Sequence, residues 1–90
     1  MYPSPDAFYA AGVISLARQH PEEALAYFNQ AKGIKLYAED IVWYSALAHQ
    51  QIALRHPEHR PQAVMALKEV LETSQPEMRY RWAKKLSRAL

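Results

Sequence analysis

Apolar residues recur along this chain at helical spacing, and no stretch alternates at the period of a half-buried strand. The clearest stretch is Pro21-Glu22-Glu23-Ala24-Leu25-Ala26-Tyr27-Phe28-Asn29-Gln30-Ala31, where small Ala24, large Phe28 and small Ala31 share one stripe of a helix. This helix is expected over about 21–33, with Ala24, Leu25, Phe28 and Ala31 inward and Asn29, Gln30 and Lys32 outward. Pro21 suits its first turn, Glu22 and Glu23 complement the positive end of its dipole, and Gly33 supplies a stop.

Before it, Asp6 or Ser4 can cap a helix running to about Gln19. Its residues Phe8, Tyr9, Ala10, Ala11, Val13, Ile14, Leu16 and Ala17 leave almost no polar face, so it must be covered on more than one side. His20-Pro21 ends it, because the residue before a proline is pushed out of the helical region. After a short connection over 34–38, Glu39 and Asp40 open a third helix that His56-Pro57-Glu58 closes. A fourth, about 61–73, carries an inward stripe of Ala63, Leu67, Val70 and Leu71. Thr73-Ser74-Gln75-Pro76 is a turn, and the last helix runs over about 77–89 with Tyr80, Trp82, Ala83, Leu86 and Ala89.

The pattern repeats. Phe8 maps to Trp43 at a spacing of 35, His20 to His56 at 36, and Ala24, Phe28 and Ala31 to Ala63, Leu67 and Val70 at 39. The lengthening falls in the turn, where Glu58-His59-Arg60-Pro61-Gln62 occupies the place of Glu22-Glu23. Such an insertion costs on the order of tenths of a kcal/mol in loop-closure entropy. Two helical hairpins and a terminal helix result.

These features resemble the tetratricopeptide repeat family: a large aromatic early in the first helix (Phe8), a small pair one turn later (Ala11-Gly12), and the small-large-small stripe in the second (Ala24, Phe28, Ala31). The second unit matches at Trp43, Ala46 and Ala63, then departs at Leu47, Leu67 and Val70, while Gln19 stands where the family usually has a turn glycine. The resemblance implies an all-α, right-handed α–α superhelix of about five helices. Repeat 1 would span about 5–36, repeat 2 about 39–76 and a capping helix about 77–90, all within one domain over 1–90. It also implies a concave surface lined by the first helix of each hairpin, with Tyr9, Val13, Leu16, Tyr44, Ala48 and Gln51 at the matching positions. That surface suits an apolar peptide or an amphipathic helix. It lacks the lysine, asparagine and arginine set of the subclass that clamps a C-terminal carboxylate. An alternative is that Tyr9, Val13 and Tyr44 are simply core.

Composition changes this picture little. Half of the 90 residues are apolar, which argues against a disordered chain, and two and a half repeats are few for a stack that buries its faces only against neighbours. A homodimer at high protein concentration is therefore expected, unless neighbouring repeats of a longer chain supply the cover. The absence of cysteine excludes a disulfide framework and a thiolate metal site. There is no signal-peptide pattern and no membrane-length apolar run, so the segment reads as soluble, without membrane insertion and without an implied compartment.

The formal charge of +2 is uneven, because Arg79, Arg81, Lys84, Lys85 and Arg88 crowd the last helix. A solvated face explains them; binding of nucleic acid or an anionic surface is the alternative. His49 with His56-Pro57-Glu58-His59 offers three imidazoles and a carboxylate, but the proline breaks helical register, so a turn role is expected rather than a metal site. No phosphate-cradling glycine loop, nucleophile elbow or HExxH pattern is present. The expectation is a non-catalytic protein- or peptide-binding module without cofactor.

Overall fold

The computed structural model describes residues 4–90, which form five α-helices and no strand. Met1, Tyr2 and Pro3, part of the domain read from the sequence, lie outside the described residues. Helix α1 spans Pro5–Ala17, α2 Pro21–Ala31, α3 Ala38–Arg55, α4 Arg60–Glu72 and α5 Glu77–Ala89, with single 3-10 turns at Lys35–Tyr37 and Pro57–His59.

Local chemistry sets the helix ends. Ser4, rather than Asp6, caps α1: its Oγ accepts from the Ala7 N–H at 3.2 Å. The helix stops at Ala17, two residues before the expected Gln19, because Gln19 adopts a left-handed φ of 62°. The Gln19 N–H then donates to the Leu16 carbonyl and the His20 N–H to the Ser15 carbonyl, which is the Schellman arrangement. A side chain here carries the conformation that glycine adopts without steric cost. At the end of α2 the extended Lys32 and then Gly33, at φ 116°, redirect the chain.

Each helix packs on the next, and α1 also touches α3. Two core clusters result, one per hairpin. The first holds Leu16, Ala24, Phe28, Ala31, Ile41 and Ala48, with Phe8, Tyr9, Val13, Leu25, Tyr37, Tyr44 and Leu47 packed against it. The second holds Ala46, Leu67, Val70 and Ala83, with Trp43 and Leu86 beside it. Leu25 is only partly buried, and Leu71, expected inward, is exposed, because it lies at the edge of a stripe whose centre is Ala63, Leu67 and Val70.

Two hydrogen bonds recur at equivalent places along the stack. Arg55 Nη2 donates to the Gln19 carbonyl at 3.3 Å and Gln75 Nε2 to the Glu39 carbonyl at 2.6 Å, each pair 36 residues apart. These links hold the α1–α2 turn to the end of α3, and the segment before α5 to the start of α3.

Candidate functional site

The face formed by α1 and α3 is built around Tyr9. Its ring stacks on Tyr37 at 4.3 Å and meets Tyr44 edge-on at 6.2 Å, and its hydroxyl donates to Asp40 Oδ2 at 3.1 Å. Burial, the Asp40 charge and this hydrogen bond together push the Tyr9 phenol up to about 12. Tyr44 in turn stacks on Phe28.

Of the six residues expected to line a concave surface, Leu16 and Ala48 are interior, at 8% and 0% exposure. They face Ala24, Phe28 and Ile41, so they belong to the core and present nothing to a partner. Tyr9, Val13 and Tyr44 are half-buried against the same cluster. Gln51 is half-buried beside a hollow it shares with Gln19, Leu54 and Arg55, and its Oε1 is buried without a hydrogen-bond partner. The structure therefore breaks the expected row: its middle is core and its ends are aromatic and amide groups.

The five basic residues of α5 also separate. Arg79 Nη1 donates to Asp40 Oδ1 at 2.7 Å and to Gln75 Oε1 at 2.9 Å, and its guanidinium lies 5.8 Å from the ring centroids of both Trp43 and Tyr44. It fastens α5 to α3 and is no part of a solvent-facing basic patch. Gln75, read only as a turn residue, is buried and completes this junction; the Tyr80 hydroxyl accepts from its backbone N–H and donates to the Thr73 carbonyl. Arg81 pairs with Glu77 at 3.1 Å, Lys85 lies over the half-exposed Trp82, and Lys84 and Arg88 are exposed.

A groove of about 420 Å³ runs between α2 and α4. Leu25, Ala26, Phe28 and Asn29 of α2 with Lys32 just after it form one wall, Ala66 and Glu69 of α4 the other, and Ile41, Val42, Ser45 and His49 of α3 the floor. Each set follows helical spacing, so three regular stripes converge. Leu25, Ala26, Phe28, Ile41, Val42 and Ala66 make the apolar part of its surface, while Asn29, Lys32, Ser45, His49 and Glu69 supply hydrogen-bonding and charged groups of both signs. The volume falls in the range of sites that take side chains or small ligands. Sequence reading treated α3 as apolar on most sides; the signal for the groove was Ser45 and His49 following Ile41 on one stripe, interrupting an otherwise apolar face.

His49 sits at this groove and meets His59 from the Pro57–His59 turn. Nδ1 of the first is 2.7 Å from Nε2 of the second, and the rings stack with centroids 5.0 Å apart. The proline does break helical register, yet the turn it makes brings these two imidazoles together. Burial, then the neighbouring His59, hold the His49 imidazole below the usual histidine range. His56 turns away to Glu58 at 3.5 Å, and no group of three or more metal-ligating side chains forms among the described residues. No helix is long and apolar enough to cross a membrane among those residues. Comparison of the chain with protein-family models, with curated proteins and with solved structures finds no match in any of the three.

Proposed function

We propose that this chain is a non-catalytic interaction module, a tetratricopeptide-like stack of about two hairpins and a capping helix, that receives a peptide or helix in the groove between α2 and α4. The observation that carries the reading is the groove itself: an apolar trough of Leu25, Phe28, Ile41, Val42 and Ala66 edged by Asn29, Lys32, Ser45, His49 and Glu69. Apolar side chains of a partner gain free energy in such a trough, and the rim groups fix its direction. The family reading draws support from the neighbour-on-neighbour packing, from the complete burial of Ala24, Ala31, Ala63, Leu67 and Val70, and from the left-handed turn at Gln19. In that reading the stack is a right-handed superhelix.

Selection of binders from a random peptide library, followed by mapping of amide shifts on the domain, tests it. Ala26 is exposed on the groove wall, so Ala26→Arg plugs the groove without entering the core. The selected peptides are expected to lose about tenfold or more in affinity, while thermal stability moves by about 0.5 kcal/mol or less, as for an ordinary surface change. Peptides that shift α5 or the α1–α3 face, and that bind the variant equally well, would defeat the proposal.

One observation favours a second reading. Arg81, Lys84, Lys85 and Arg88 fall within about 100° on the outer side of α5, at 100° per residue, with Trp82 half-exposed beside them. This side of the helix would bind single-stranded nucleic acid by phosphate contact and base stacking. Under the groove reading, a random oligonucleotide shows no binding even at low salt. Binding that falls steeply as salt rises, and that Lys84→Glu with Arg88→Glu abolishes, would replace it, because counterion release makes phosphate contacts salt-dependent.

A further inference from the structure

We infer that His49 and His59 form a pH-released clasp that holds the turn Pro57–His59 against α3, beside the α2–α4 groove that His49 lines. The geometry is that of one shared proton. With Nδ1 and Nε2 at 2.7 Å, one imidazole donates its N–H and the other accepts with its lone pair. If both rings are protonated, two N–H donors face each other with like charge, and the contact cannot persist.

The surroundings leave the pair to itself. Across the groove, α2 contributes Lys32 and α4 contributes Glu69. On the turn, Glu58 is engaged by His56 at 3.5 Å, and Arg60, the first residue of α4, is exposed. The two influences that act on the His49 proton are its burial and His59, and both oppose charging. The contact joins residues ten apart across the α3–α4 link, so its loss frees the turn whose His59 N–H donates to the His56 carbonyl at 2.8 Å.

The sign of the pH dependence follows. A base held below its ordinary value in the folded chain adds stability that is complete at neutral pH. That stability is lost as pH falls below the unfolded histidine value of about 6.5. Acidification therefore opens the turn and frees the His49 side chain that lines the groove. This regulation of the groove rests on the groove being the binding site; the clasp itself does not.

Two measurements on the whole chain test it. In long-range nitrogen–proton spectra of the imidazoles, one N–H shared between His49 Nδ1 and His59 Nε2 is expected at neutral pH, and it should vanish on acidification. Absence of that shared N–H at neutral pH, or its survival in acid, would overturn the clasp. Hydrogen exchange at the His59 and Arg60 amides, which donate to the His56 and Pro57 carbonyls, is expected to speed up about tenfold or more, after correction for intrinsic rate, as pH falls below the ordinary histidine value of about 6.5. His59→Gln retains a hydrogen-bonding partner that does not titrate, so its turn should stay protected across the same range. Equal acid-induced exchange in the wild type and His59→Gln, or none in the wild type, would refute the proposal. A groove peptide whose affinity ignores pH, with the turn still released in acid, would refute only the link to binding.

Discussion

Replacing Phe28 by alanine is expected to lower the unfolding free energy by about 3–5 kcal/mol, the usual cost of emptying a buried phenylalanine site. For a chain of this length total stability is roughly 5–13 kcal/mol at ordinary values per residue, so the variant is at best marginally folded. Phe28 is 1% exposed, stacks on Tyr44, and lies against α1 where Gly12 gives it room. A methyl group at position 12 would stand 2.5 Å from Phe28 Cε1 and 2.6 Å from Cδ1, inside van der Waals contact. Gly12→Ala should therefore destabilise by about 1–3 kcal/mol through overpacking, even though alanine gains about 1 kcal/mol over glycine in helix propensity. In the Phe28→Ala background the same change should become favourable, since the methyl then fills vacated space. Urea unfolding of the four species closes a double-mutant cycle, and a coupling near zero would show that Gly12 and Phe28 do not meet.

That pair also shows what the amino-acid pattern could and could not disclose. Ala24, Phe28 and Ala31, and their counterparts Ala63, Leu67 and Val70, are all essentially inaccessible. They were readable because a 3.6-residue period and alternating small and large volumes are local properties. The ends at His20-Pro21 and His56-Pro57 were readable because proline acts on its own neighbours. Tyr37, by contrast, was placed in a bare connection. Its segment forms a 3-10 turn, and its ring finds Tyr9 of α1, a contact no local period encodes.

Arg79 was grouped with four other cations by proximity in sequence. At 100° per residue it lies on the side of Ala83 and Leu86, opposite the stripe of Arg81, Lys84, Lys85 and Arg88. A helical projection would have separated it, though not identified Asp40 as its partner. The concave row failed for a similar reason. Family position put Leu16 and Ala48 on a binding face, whereas the packing of α2 and the start of α3 puts them inside. The groove between α2 and α4 needs three helices at once, so it could not be read from any one of them.

The junction of Asp40, Arg79 and Gln75 makes the other large prediction. Arg79→Ala should destabilise by about 1.5–3 kcal/mol, the range for hydrogen bonds that involve a charged group, because it leaves half-buried Asp40 with only the Tyr9 hydroxyl as partner. Arg79→Lys should recover part of this, since an ammonium keeps the charge but not the flat guanidinium beside Trp43 and Tyr44. Tyr9 reports on the same junction with a sign of its own. Its phenol is raised by burial and by Asp40, and lowered by Arg79. Asp40→Asn should therefore move its titration down from about 12 toward the ordinary 10, and Arg79→Ala should move it further up. The raised value means that neutral Tyr9 contributes stability present below pH about 10 and lost as pH climbs through about 12. Asp40→Asn should narrow that alkaline window. Titration of the Tyr9 ring by NMR gives the shifts, and urea midpoints between pH 8 and 12 give the stability. If the two substitutions moved Tyr9 in the same direction, Asp40 and Arg79 would not be acting on it as opposite charges.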